Sequence, residues 1–383
     1  MKTRVISLCL VLIATQSVMA QLTSLGVIED SLLAEEHYKM LFSGNSLYAA
    51  SSRGLYQYDL NASVSEWEKL AFSDSTILDF EVRGDTIIAL SKCQLCISTD
   101  GGNTANAISI DAIDPTWDKA YAINTLRGLA VHPSDTKKMH VSQVSGGLSY
   151  TEDGGLTWIV VDSVFSRPYL RYNPLDEKLL VGYGSSYISI SRDGGFQWET
   201  RVIGALKTIH DIAFHPTNKW GIVACGIDFY AMSDDGGYEF RMIGCQSPSP
   251  DGGIIPAAYL YDVVYDPRDP NILYGADETG YHDSQIPILR STDGGFTWET
   301  FYVIETSEPT GVFNICMKDN LLAIYTWWDN QVYLLDVDAV DTSVPAIEKE
   351  TLDIPYYDLQ GRPVANPARG IYIKDGKKVI IGQ

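Results

Sequence analysis

Histidine and cysteine number only six each in this chain, so the residues that most often do nucleophilic or metal chemistry can be weighed one by one. Cys9 lies in an apolar N-terminal segment, which leaves Cys93, Cys96, Cys225, Cys245 and Cys316. That odd set leaves at least one thiol outside any intramolecular disulfide. Cys93 and Cys96 form a Cys-x-x-Cys motif. A redox pair needs a helix N-terminus behind its first thiol, yet Ile97-Ser98-Thr99-Asp100-Gly101-Gly102 follows, which is turn chemistry. Residues three apart on a strand face opposite ways, so the pair is not preset to bridge or to share a metal. Both read as buried structural thiols. The chain has no Ser-His-Asp order, phosphate-binding Gly loop, zinc spacing or calcium-loop spacing. No metal and no cofactor are therefore expected.

Carboxylates are the abundant chemical resource. Asp and Glu number 49 against 28 Lys and Arg, a formal charge of −21 with a pI near 4.5. Such a surface repels phosphate backbones and anionic bilayers, which argues against nucleic acid and membrane partners. The most conspicuous acids recur in phase. Asp100, Asp153, Asp193, Asp235 and Asp293 each follow Ser or Thr by two residues and precede Gly-Gly. Four of the five then continue to Trp158, Trp198, Phe240 or Trp298. Gly-Gly supplies the positive φ of a tight reversal. The Asp accepts backbone N–H groups that the turn exposes, and the Ser or Thr adds a bond. These aspartates read as folding devices, not as catalysts.

The pattern resembles the Asp-box, S/T-x-D-x-G-x-T-W, of sialidase-type (BNR-repeat) β-propellers. A second repeat runs in step with it: Leu129-Ala130-Val131-His132-Pro133, Leu170-Arg171-Tyr172-Asn173-Pro174, Ile212-Ala213-Phe214-His215-Pro216 and Val263-Val264-Tyr265-Asp266-Pro267. His, Asn, His and Asp share one slot before Pro, so His132 and His215 are assigned a turn role. Each unit reads as four short strands. In one they fall near 169–172, 178–182, 187–191 and 197–202. Four strands per repeat make a propeller blade. The expected fold is all-β: a single β-propeller of most plausibly seven blades, with six or eight as alternatives, followed by a short β tail. A degenerate first blade takes 46–50, 54–58 and Trp67; a degenerate last one takes 312–317, 321–326 and 331–337.

In a propeller the Asp-box and Pro turns share one face. Three long loops, Asp111–Thr125, Gln246–Ala258 and Asp277–Pro287, then belong to the other face, where long loops tend to carry function. They and the neighbouring last-blade loop supply the candidate ligand-binding residues: Asp114, Trp117, Asp118, Tyr121, Asp251, Tyr259, Asp277, Glu278, Tyr281, Trp327 and Trp328, with His282 and Asp329 beside them. Aromatic faces stack on sugar C–H groups, and carboxylates accept hydroxyl hydrogen bonds, so glycan is the leading ligand class. The same aromatics also suit packing within their own loops. Resemblance to sialidases implies three arginines, a Tyr–Glu nucleophile pair and a general acid. The chain lacks their Arg-Ile-Pro motif. Ser166-Arg167-Pro168 is its nearest match, and Arg127, Arg167 and Arg171 are the arginines available. Xyloglucan-active propellers imply instead two carboxylates across the channel. No catalytic residue is assigned.

The two ends carry addresses. Lys2 and Arg4 precede an apolar run, Ile6 to Ile13, and Val18-Met19-Ala20 resembles a cleavage site. The run is far short of the ~20 residues that span a bilayer. Residues 1–20 are therefore read as a signal peptide whose loss removes two cations and no acid. At the other end stand Tyr357-Asp358-Leu359-Gln360-Gly361-Arg362-Pro363-Val364, Ala368-Arg369-Gly370-Ile371-Tyr372-Ile373 and Asp375-Gly376-Lys377-Lys378-Val379-Ile380-Ile381. These resemble the C-terminal (Por) sorting segment of type IX secretion cargo, which implies a protein of the Bacteroidota and the type IX machinery as a partner. The expected layout is propeller 21–342, linker 343–355 and sorting-like tail 356–383. The expected protein is a monomer, secreted or held on the outer cell surface. It binds glycan or an extracellular protein; glycoside hydrolase and protein-interaction scaffold are the alternatives.

Overall fold

The computed structural model describes residues 22–28, 39–72, 75–115, 125–144, 147–163, 165, 167–184, 187–203, 208–226, 229–243, 260–277, 284–327, 330–343, 356–357, 363–364, 370–374 and 377–381. Residues 22–336 form seven four-stranded antiparallel sheets, which settles the blade count. The innermost strands, in order, are Met40–Ser43, Ile77–Arg83, Leu126–Val131, Tyr169–Asn173, Ile209–Phe214, Leu260–Tyr265 and Val312–Lys318. Met40–Ser43 lies against Val312–Lys318, closing the ring. The fourth strand of the last blade comes from the other end of the chain. Leu22–Val27 pairs antiparallel with Gln331–Asp336. This strand has no marker in the sequence repeat, because it is split off from its blade.

The apolar core lies between blades. Ile77, Phe80 and Ile87 of the second blade pack on Tyr48, Ala50 and Leu55 of the first. Ile209, Ile212 and Ile222 pack likewise on Val181, Ile188 and Ile190. Leu25, on the closing strand, joins Leu47 and Tyr325 where first and last blades meet. Each such side chain contributes about 1.5–3 kcal/mol on burial.

The Asp-Gly-Gly turns have one geometry in five blades. Ser98, Thr151, Ser191, Ser233 and Ser291 each donate a hydroxyl to the Asp Oδ1 at 2.8–2.9 Å. Each hydroxyl also accepts the N–H of the second Gly. These bonds hold the Asp100 and Asp153 carboxyls down to about 2, the Thr104 and Thr157 hydroxyls being the largest cause. The slot before Pro also does a single job with different residues. His215 Nδ1 accepts the Thr217 and Asn218 N–H groups, Asn173 Oδ1 accepts that of Leu175, and Asp266 Oδ1 that of Arg268.

The second Gly does more than turn the chain. It seats a side chain from the preceding blade: Leu70, Ile108, His140, Ile190 and Tyr230 in turn. His140 is neutral there, since burial holds its imidazole at about 3. Tyr172 gives its one hydroxyl proton to Gly194 O, so His140 Nδ1 is the donor in their 3.0 Å contact. The thiols differ in part from expectation. Cys96 and Cys225 are buried, but Cys93 is exposed in a hairpin turn, and none of the three is in a disulfide. The turn places Cys93 outside the pleat that buries Cys96.

The chain divides after Val337, five residues before the expected propeller limit. The cause is a helix, Val337–Ser343, that follows the last propeller strand directly. Residues 344–355 of the expected linker lie outside the described residues. The second unit holds a four-stranded sheet in the order Pro363–Val364, Tyr356–Tyr357, Gly370–Lys374, Lys377–Ile381. Among the described residues, no helix is long and apolar enough to cross a membrane.

Two adjacent glycines separate turn strain from blade contact. Gly194 and Gly195 have φ of 85° and 106°, but a Cβ on Gly194 meets nothing while one on Gly195 overlaps His140 Nε2. Gly194→Ala should cost about 1–2 kcal/mol in denaturant unfolding, the left-handed penalty alone. Gly195→Ala should cost clearly more. His140 adds a pH term. Its folded pKa lies below the ordinary 6.5, so the unfolded chain takes up the proton first. Stability is fully present above 6.5 and falls as pH drops towards 3, by about 1.4 kcal/mol per pH unit. His140→Leu should flatten that acid limb in unfolding curves at pH 7, 6, 5 and 4.

Candidate functional site

The inner strand of each blade is a sheet edge, with backbone groups that no further strand pairs. Five of these strands carry a β-bulge near their start. Register shifts between Ile77 and Asp79, Leu126 and Gly128, Ile209 and Asp211, Leu260 and Asp262, and Val312 and Asn314. The bulge re-aims the next residue into the channel. Asp79, Asp211, Asp262 and Asn314, each placed by a bulge, line one cavity together with Lys39 and Tyr169.

Side chains of this set reach across blade boundaries. Asp79 Oδ2 accepts the Leu129 N–H at 3.0 Å, Asp262 Oδ2 that of Ile315 at 2.8 Å, and Asn314 Oδ1 that of Met40 at 2.7 Å. The last of these fastens the seventh blade to the first. Lys39 donates to Asp79, to Phe80 O and to Glu81 at 2.8–3.0 Å. Arg171, one turn of pleat deeper, donates to Ile212 O at 2.6 Å and to Asp211 Oδ1 at 2.7 Å. Tyr183 adds a bond to Asp211. Asp211 and Asp262 line the same cavity. Burial and the Asp211 charge push Asp262 well above the usual carboxylate range, which favours its protonated form. Asp79 is raised by burial against the pull of Lys39. In Glu81, Lys39 and Arg83 together overcome burial and lower the carboxyl.

These groups surround a small polar cavity of about 50 Å³, room for a few waters. Tyr169, His210 and Tyr261 also line it. His210 is neutral, held at about 4 by burial. At the Pro-turn end the channel opens into a funnel of about 470 Å³. Its walls include Leu41, Phe42, Phe214, Val264, Met317 and three turn prolines, Pro174, Pro216 and Pro267. Arg171 lies between the cavity and the funnel and lines both. A pocket of this volume, with apolar side chains and convergent polar groups on its wall, is of ligand-site size.

The residues singled out in the sequence fare unevenly. Asp114 is buried at 5% exposure and accepts from Gln143 Nε2 at 2.9 Å, a packing role at the end of the short helix Ile110–Ile113. Trp327 is half-buried, its ring 6.5 Å from that of Tyr261. Asp277 ends a strand, and its side chain lies outside the described residues. Trp117, Asp118, Tyr121, Asp251, Tyr259, Glu278, Tyr281 and Trp328 also lie outside them. The three arginines take separate partners: Arg127 faces Tyr169, Arg167 lies on the Tyr187 ring, and Arg171 holds Asp211. Among the described residues, no cluster of three or more metal-ligating side chains is present. Sequence reasoning missed the channel level, although Leu78-Asp79-Phe80, His210-Asp211-Ile212, Tyr261-Asp262-Val263 and Phe313-Asn314-Ile315 recur in phase with the turns.

No family model and no curated protein matches the chain. Solved structures do. YCF48 bound to D1 peptide is similar with a TM-score of 0.56 and 16% identity, over 80% of this chain and 98% of that one. YCF48 from Cyanidioschyzon merolae gives 0.56 and 15%, over 83% and 99%. The Pan2 WD40 domain of Neurospora crassa gives 0.58 and 11%, over 82% and 94%. At such identities the likeness is one of fold, the seven-bladed propeller.

The proton held by Asp262 has a measurable consequence. Its folded pKa is raised, so the native state holds a proton that the unfolded chain releases at the ordinary carboxylate value. The contribution is fully present below about pH 4 and is lost as pH rises through the folded value. Asp262→Asn should remove that slope in the difference between its unfolding curves and those of the parent from pH 4 to 9.

Proposed function

We propose that this protein is an exported propeller that binds a segment of an extracellular protein, seated in the funnel at the Pro-turn end of the channel. The observation that carries the reading is the funnel itself, about 470 Å³ with apolar and polar groups both exposed on its wall and a charged floor. Peptide binding by a propeller of similar fold supports it. The signal-like residues 1–20 and the sorting-like tail support an extracellular destination.

A hydrolase would need carboxyls with free faces, separated by ~5–9.5 Å. Among the described residues, the channel acids already hold backbone N–H groups or cations. A glycan ligand retains one slight support, the half-buried Trp327, whose ring lies 6.5 Å from that of the buried Tyr261.

The mature chain, residues 21–383, should bind members of a peptide array saturably and release no reducing sugar. Met317→Asp, on the funnel wall, should weaken peptide binding by about tenfold, roughly 1.4 kcal/mol. Binding confined to a glycan array, or turnover of any glycan, would overturn the proposal.

A further inference from the structure

The funnel floor is unusually specific about what it still lacks. Each carboxyl already holds at least two partners. Asp79 takes Lys39 and two backbone N–H groups. Glu81 takes Lys39 and Arg83. Asp211 takes Arg171 and Tyr183. Asp262 takes the Val263 and Ile315 N–H groups and Asn314. All three Lys39 protons are committed.

Arg171 is different. Its guanidinium carries five N–H donors, and its hydrogen bonds run to Ile212 O and Asp211. The side chain is 35% exposed, on the funnel. Arg83 at the edge is also partly open, at 46%. The floor thus offers unused donor capacity, which suits a ligand that brings an acceptor. The charges are already balanced: Lys39, Arg83 and Arg171 face Asp79, Glu81 and Asp211. A lysine or arginine from a ligand would have to share carboxyls that already hold cations, and would add an unbalanced positive charge. A carboxylate would unbalance the floor inside a chain of formal charge −21. The wall prolines carry no N–H that would compete for the acceptor.

We infer that the funnel takes a neutral, apolar, internal stretch of peptide and holds it by a backbone carbonyl on Arg171, in preference to a chain terminus or a charged side chain. This rests on the peptide-binding reading above and names the chemistry of its partner. Arg171 acts as the fixed donor, oriented by Asp211 and Ile212 O, and the apolar walls select the flanking side chains.

The test uses apolar hexapeptides from the array in three forms: capped at both ends, with a free C-terminal carboxylate, and with one residue changed to Lys. The capped form should bind the mature chain best. The free acid should be weaker by about fivefold at low salt, and the gap should narrow as salt rises. Glu81→Gln removes one negative charge from the floor without touching Arg171, and should close or reverse the gap. Arg171→Gln should lose binding of the capped form; because Arg171 and Glu81 both tie two blades, the ratio of capped to free-acid affinity within the Glu81→Gln protein, confirmed folded by its unfolding curve, is the readout. A free acid or Lys peptide that binds best, or a gap that Glu81→Gln leaves unchanged, overturns the inference while the peptide-binding reading stands. Failure of every form to bind removes both.

Discussion

A propeller places the edge of seven sheets around one axis, and that edge is what the rest of this structure depends on. Each inner strand offers backbone N–H groups to a narrow, water-poor channel. An unpaired buried amide costs about 1–3 kcal/mol. Here the edge of one blade is satisfied by a side chain from the blade before it: Asp79 for Leu129, Asp262 for Ile315, Asn314 for Met40. The bond that satisfies the amide also fixes the angle between blades. A β-bulge in the same strand aims the side chain.

Carboxylates suit this work because each can accept several N–H groups, yet gathering them in one channel raises a second problem. Like charges in low dielectric repel strongly. The channel answers with Lys39 and Arg171 and with a raised Asp262 carboxyl that favours its neutral form. Buried ion pairs contribute little net stability, but removing one partner costs about 3–5 kcal/mol. The cluster therefore specifies the ring more than it stabilises it. Once balanced, it leaves donors of Arg171 and Arg83 open to the funnel, and so favours a ligand that presents an acceptor.

Blade contacts further from the axis follow a parallel logic with apolar groups. The second glycine of each turn leaves room for a side chain of the preceding blade, and Phe196 continues the contact onto Tyr150 and His140. The exposed position of Phe196, Tyr238 and Phe296 on three turns is thus partly an inter-blade contact: Tyr238 stacks on Arg192 and Phe296 on Arg241, each from the blade before.

What the sequence by itself determined is local. The Asp-Gly-Gly turns, the Pro turns and the alternating strands are set by groups within about five residues of one another, so their chemistry can be read along the chain. Repetition of those signals then fixed four strands per blade. The blade count was settled only in space, because the last blade borrows Leu22–Val27 from the far end of the chain. The channel level was decided there too. Asp79 meets Leu129 across 50 positions and Asn314 meets Met40 across 274. An aspartate after a strand start is unremarkable in sequence. It becomes a clasp, a buried carboxyl beside another, or the floor of a funnel only once ring closure brings its neighbours round to it.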